Sequence, residues 1–136
     1  EEPFLPVGLW AESFLVTNGL TTAVKWSARR TRPFAFNPDL PMETKRKQDA
    51  MLSFWSGHTA NTAALTFTCA AVLERSDMSR DQRNAVWVGA VVLPAAMGFL
   101  RVRAGRHFPT DVLAGFVAGA LVGVAVPYFH RPESFP

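Results

Sequence analysis

Apolar positions along the chain gather into four long runs separated by charged or proline-rich breaks. The first extends from about Val7 to Arg30, the second from Ser56 to Leu73, the third from Gln82 to Val102 and the fourth from Pro109 to Phe129. None alternates apolar and polar residues with a period of two, and Ala, Leu, Gly and Val dominate, so each is read as a helix. The breaks agree with this reading. Pro33, Pro38 and Pro41 interrupt the chain after the first run, Ser56 is a candidate N-cap for the second, and Ser79 or Asp81 caps the third. Pro109 suits the first turn of the fourth helix, where its missing N–H is not needed; Pro127 and Pro132 are expected to bring the chain to its end. The expected architecture is all-α, an antiparallel bundle of about four main helices, in one domain over residues 1–136. The one long connection, Arg29 to Asp49, is rich in charge and proline, a length that compact domains reserve for functional or disordered segments.

The fourth run changes the picture from an ordinary bundle to a membrane one. Val112 to Phe129 carries no charge and reaches the ~18 residues at which an apolar stretch becomes a candidate span. Gly115, Gly119 and Gly123 follow one another at i, i+4 and i+8, a small-residue stripe of the kind on which membrane helices pack closely. Pro94 falls within the third run and is expected to kink it, which membrane helices tolerate. The opposing reading is a soluble bundle with the third and fourth helices buried. Composition leans the same way as the fourth run: 49% of residues are hydrophobic and 18% charged, against a usual charged share of about 25%. A formal charge of +3 does not point to nucleic acid. The single cysteine, Cys69, sits among small and apolar neighbours and reads as a buried inert thiol.

Charge is unevenly distributed. If the helices run up, down, up, down, one end receives Lys25, Arg29, Arg30, Arg32, Lys45, Arg46, Lys47, Arg101, Arg103 and Arg106, ten of the fourteen cationic residues. Helix C-termini favour cations, which accounts for some of them. Lys25 and Arg32, seven apart and expected on one helical face, call for an anion instead. The same end holds His58 and His107. "SGH", Ser56 to His58, opens the second helix with outward N–H groups, a seat for phosphate; Gly57 lets the backbone approach, and Ser56 is free to cap, to donate to the anion, or both. Asp111, one turn after His107, is placed to accept from one imidazole nitrogen and leave the other to attack. There is no HExxH, cysteine pair or group of acids with metal-ligand spacing, so no metal is expected. A phosphate-binding glycine loop, a GxSxG elbow and paired glycosidase carboxylates are also missing.

Three blocks in fixed order carry a resemblance. "KWSARRTRP" (Lys25–Pro33), "WSGH" (Trp55–His58) and "RVRAGRHFPTD" (Arg101–Asp111) resemble the signatures of the type 2 phosphatidic acid phosphatase and vanadium haloperoxidase superfamily. Two positions depart from its pattern: Trp55 stands where proline is common and Leu100 where serine is common. The resemblance implies a phosphatase acting on a phosphate monoester or diphosphate, of a membrane lipid or an isoprenyl chain, without a metal or cofactor. His107 would attack phosphorus and become phosphohistidine, Asp111 would orient it, and His58 would protonate the leaving oxygen and then activate water. Lys25, Arg32, Ser56, Gly57 and Arg101 would hold the phosphoryl oxygens, and vanadate would inhibit. The same residues also suit a soluble periplasmic acid phosphatase, or a haloperoxidase in which vanadate is the cofactor. Membrane members of the family usually have six spanning helices and an extracytoplasmic site. On that resemblance the chain reads as a core whose two preceding helices lie outside it, or as a shortened member. A cationic pole outside the cytoplasm conflicts with the positive-inside tendency, and anion binding is the preferred explanation of it.

Overall fold

The computed structural model of the protein describes residues 5–130, so Pro132 lies outside the described residues. Four long helices, α1 (Leu5–Ala28), α3 (Gly57–Leu73), α4 (Arg80–Arg103) and α5 (Pro109–Phe129), form the bundle. Among the described residues there is no strand. The long connection is ordered into one short helix, α2 (Met42–Lys45), between 3₁₀ turns at Pro33–Phe36 and Gln48–Met51. The helix ends obey local chemistry. Ser56 is the N-cap of α3 and accepts from the Thr59 N–H. Ser79 and Gln82 form a reciprocal capping box on α4. Pro109 occupies the first turn of α5. Two expectations fail. The first helix stops at Ala28, because Arg29 adopts a left-handed φ of 42° that ends it. Pro127 does not end α5; it is buried inside the last turns, where its ring removes only one late hydrogen bond.

The four long helices alternate in direction, so α3 and α5 run parallel from the same end of the bundle. Central α3 packs on α1, α4 and α5, most extensively on α5. The glycine stripe makes that contact. A Cβ on Gly115 would lie 2.6 Å from the Ser56 carbonyl oxygen, one on Gly123 2.5 Å from that of Ala64, and one on Gly119 would collide with that of Ala60. Glycines at i, i+4, i+8 of α5 thus lie against residues at i, i+4, i+8 of α3, in register.

The interior is built from small and hydroxylated residues: Ala60, Ala63, Ala64 and Ala70 with Ser13, Thr17, Thr59 and Thr68. Thr68 donates to Ser13 at 2.7 Å, and Thr17 to the Ser13 carbonyl at 2.7 Å. Large apolar side chains face outward instead, among them Phe14, Leu15, Val92, Phe99, Leu113 and Leu121. Such an inverted distribution suits a bundle surrounded by hydrocarbon, where close packing and interhelical hydrogen bonds hold helices together. Helices α4 and α5 are long and apolar enough to cross a membrane, with mean hydropathies of 1.8 and 2.1, yet only 17% and 28% of their most apolar stretches is buried. That favours the membrane reading over the soluble one, in which both would form the core. Cys69, expected buried, is exposed on the outer side of α3.

Candidate active site

The C-terminal ends of α1 and α4 and the N-terminal ends of α3 and α5 meet at one pole, tied by backbone. The Ser56 N–H donates to the Asp111 carbonyl at 2.9 Å, joining the first turns of α3 and α5. Ser53 N–H donates to the Arg30 carbonyl at 2.9 Å, Arg32 N–H to the Ala50 carbonyl at 2.8 Å, and Phe34 N–H to the Gly105 carbonyl at 3.0 Å. Gly105 has a φ of +64°, a turn conformation that a side chain disfavours; it delivers Arg106 and His107 to the pole.

His107 is almost fully enclosed, 1% exposed. Its Nε2 lies 3.2 Å from Arg32 Nη1. A guanidinium can only donate, so Nε2 carries the lone pair and, in the neutral ring, Nδ1 carries the proton. Nδ1 is buried with no hydrogen-bond partner among the described residues; the closest carboxylate oxygen, Asp111 Oδ2, is 3.7 Å away. The expected His–Asp hydrogen bond is therefore stretched beyond bonding distance, and Arg32 fixes the tautomer in its place. Burial, reinforced by the charges of Arg32, Lys25 and Arg101, lowers the His107 imidazole to about 4 against an opposing pull from Asp111. The ring is neutral at physiological pH, with its lone pair directed toward the cationic cluster.

Asp111 is fully buried and heavily engaged. It accepts from Ser53 Oγ at 2.5 Å, from the Phe108 N–H at 2.9 Å and from Arg30 Nη1 at 2.7 Å. Arg30 also stacks over the Phe108 ring, 4.2 Å from its centroid. Arg32 is equally constrained: Nε donates to the Asp49 carbonyl at 2.7 Å, Nη2 to Asp49 Oδ1 at 2.7 Å and Nη1 to the Arg106 carbonyl at 3.1 Å. Arg30, Ser53 and Asp49 were given no role at the site by sequence reasoning, although Arg30 lies inside the first motif block and among the cations of the pole. For Ser53 the one signal is its place three residues before Ser56.

The remaining candidates converge on the same place by different routes. Lys25, in the last turn of α1, donates to the Leu52 carbonyl at 3.2 Å. With α1 ending at Ala28, Lys25 and Arg32 do not share a helical face; the loop folds Arg32 back to His107. Ser56 is completely buried, and its Oγ accepts from Thr59 Oγ1 at 3.0 Å, which leaves its own O–H free to donate. Gly57 does more than expose its N–H: a Cβ there would approach Thr21 of α1 to 3.1 Å. Arg101 holds its Nε buried without a partner among the described residues. His58, by contrast, is exposed and lines a cavity of about 650 Å³ between α1 and α3 together with Lys25 and Gly57. The charges of Lys25, Arg32 and Arg101 act on both imidazoles.

A family model described as the PAP2 superfamily matches residues 7–134. The chain belongs to the PAP2 superfamily. Among curated members, rat (Rattus norvegicus) phospholipid phosphatase 1 is 27% identical over 154 aligned positions, covering 94% of this chain and 55% of the relative. Phosphatidylglycerophosphatase B of Bacillus subtilis (strain 168) is 33% identical over 84 positions, covering 61% of this chain and 41% of the relative. The chain thus spans about half the length of these curated relatives or less. The crystal structure of a transmembrane PAP2-type phosphatidylglycerolphosphate phosphatase from Bacillus subtilis superposes with a TM-score of 0.75 at 29% identity, over 94% of this chain and 61% of that one. The bundle is therefore a PAP2 bundle, and its overlap with a transmembrane member agrees with the apolar exterior.

Proposed function

We propose that this PAP2 chain is a membrane phosphatase that hydrolyses the phosphate ester of a lipid through a phosphohistidine on His107. One observation carries the proposal: the buried, neutral His107 presents its Nε2 lone pair beside Arg32, within a cluster of cations. A lone pair held there has a reactive partner only in an electrophile that carries negative charge, and a phosphoryl group is both. Lys25, Arg32, Arg101, the Ser56 hydroxyl and the Gly57 N–H bind its oxygens, which spread more charge in the transition state than in the ground state. Nε2 forms the P–N bond as the P–O bond to the lipid breaks, and His58 gives a proton to the departing oxygen. The ring then carries a positive charge through its Nδ1–H, and Asp111 Oδ2 faces that group. In the second step His58 takes a proton from water, the resulting hydroxide attacks phosphorus, and the P–N bond returns its electrons to Nε2. Vanadate, which imitates the five-coordinate phosphorus, is expected to inhibit.

The exposed apolar sides of α4 and α5 support a membrane substrate, and the names of the relatives point the same way. The test is phosphate release from lipid and water-soluble phosphate esters by the purified protein, with His107→Ala as the blank. Release that depends on His107 is expected. Equal release by the His107→Ala protein rules the proposal out. His58→Ala should lose about 10²–10⁴ in turnover, the usual share of a positioned acid–base group.

A further inference from the structure

Trp55 opens the phosphate-binding turn at the position where the family pattern commonly has proline. A proline there would restrain the turn locally, through its own fixed φ. Tryptophan leaves that torsion free and restrains the turn from outside. The Trp55 indole reaches across to α1, where Nε1–H donates to Thr21 Oγ1 at 2.8 Å. Its ring also meets that of Phe54 edge-on, with the centroids 6.4 Å apart.

Thr21 is buried on α1 one turn before Lys25, about 6 Å along the helix. Its hydroxyl receives Trp55, and its methyl lies against Gly57, where an added Cβ would come within 3.1 Å of Thr21 Cγ2. One α1 side chain therefore touches the residues on both sides of Ser56. On the opposite side the turn is fixed to α5 by backbone, from the Ser56 N–H to the Asp111 carbonyl at 2.9 Å. Among the described residues, no backbone hydrogen bond joins α1 to residues 52–57. Two side-chain bonds do so: Lys25 Nζ to the Leu52 carbonyl at 3.2 Å, and Trp55 to Thr21. Lys25 gives no fixed reference, because its ammonium is one of the groups that take the phosphoryl oxygens in the proposed reaction.

We infer that Trp55 is a positioning residue, whose hydrogen bond to Thr21 sets the distance between the two halves of the phosphate cradle, Lys25 on α1 and the Ser56–Gly57 turn at the start of α3. The inference rests on the phosphatase reading above and adds the part that spaces the cradle. Misplacing a group by about 1 Å costs on the order of 10²-fold in rate. Without the strut, Lys25 and the turn can still close on a tetrahedral phosphate, but they no longer match five-coordinate phosphorus.

The test uses a water-soluble aryl phosphate, which does not depend on the cavity that Thr21 also lines. Trp55→Phe removes the N–H and keeps a ring; Thr21→Val removes the acceptor and keeps the methyl against Gly57. Each should lower kcat by about 10- to 100-fold and weaken vanadate binding by about tenfold or more, with KM and inhibition by inorganic phosphate within about threefold of wild type. The double variant should lose no more than either alone, because both remove the same bond. Thr21→Ser keeps the oxygen and should stay within about threefold of wild type in kcat. If both single variants lower the melting temperature in detergent but leave kcat and vanadate affinity within about twofold, the bond only pins the turn to α1 and the inference fails. A loss in Thr21→Ser equal to that in Thr21→Val overturns it as well, since the effect then belongs to the methyl. Should Trp55→Phe not accumulate, Thr21→Val against Thr21→Ser carries the same comparison. A wild type that binds vanadate but releases no phosphate defeats the phosphatase reading instead, and vanadate affinity alone then decides the role of the strut.

Discussion

His107 is neutral because of where it sits. A ring 1% exposed among Arg32, Lys25 and Arg101 cannot readily take up a second positive charge. In the unfolded chain the same ring protonates near its ordinary value of 6.5. Between that value and about 4 the unfolded state holds the extra proton and the folded state does not. Stability therefore falls as pH drops through this window and levels off below it. The expected results are ring-nitrogen NMR signals of a neutral His107 with the proton on Nδ1 at pH ~6, and an acid-dependent loss of thermal stability that is smaller in His107→Asn. Ser53 and Arg30 act on His107 only through Asp111, whose carboxylate they hold at 2.5 Å and 2.7 Å. Ser53→Ala is expected to lower kcat by about 10- to 100-fold, the value of a hydrogen bond to a buried charge. KM should stay close to wild type, and Ser53→Thr should recover part of the loss. A KM effect without a kcat effect would place Ser53 in binding instead. None of this bracing was legible in the motifs, because it depends on which loop residue meets Asp111 in space. What was legible was the cast of chemistry-bearing side chains, since lysine, arginine, serine and histidine recur at telling spacings near helix ends.

At the scale of the element, helix ends were legible to within a few residues where a cap or proline marks them, as at Ser56, Ser79 and Pro109. The end of α1 was not. Arg29 takes a left-handed conformation with no glycine to announce it, so Lys25 and Arg32 were expected on one helical face, whereas the structure sets Arg32 in the loop beyond α1. Pro127 misled in the opposite sense, since α5 absorbs it. The glycine stripe read correctly because its spacing equals the repeat of the contact it makes, with the Gly119 Cα set against the carbonyl of Ala60. Backbone cannot move aside as a side chain can, so Gly119→Ala should destabilise the protein by about 1–3 kcal/mol, the range for overpacking. A lowered melting temperature in detergent checks this. Gly89, whose added Cβ would meet nothing within 4 Å, serves as the control, and Gly89→Ala should melt at or above wild type, since alanine favours a helix interior.

For the whole molecule, the decisive feature is the exchange of inside for outside. Alanine, serine and threonine fill the interior, while phenylalanine, leucine and valine face the surroundings. Sequence pattern alone left a soluble bundle open, because a run of apolar residues looks the same whether protein or lipid covers it. Exposure of α4 and α5, together with the overlap with a transmembrane PAP2 structure, favours the membrane bundle. The protein should remain in the membrane after alkaline extraction, and recovery in the aqueous phase would oppose this account. The cationic pole brings together groups from the ends of all four long helices, and in the proposed reaction they make His107 a nucleophile toward phosphorus. Rapid quenching of the His58→Ala protein with a labelled aryl phosphate tests that most directly. The aryl leaving group needs little acid assistance, whereas the second step still lacks its base, so the intermediate should accumulate. An acid-labile, base-stable phosphoryl group is expected on His107 and not in the His107→Ala protein; label on another residue, or full turnover without His107, would overturn the phosphohistidine.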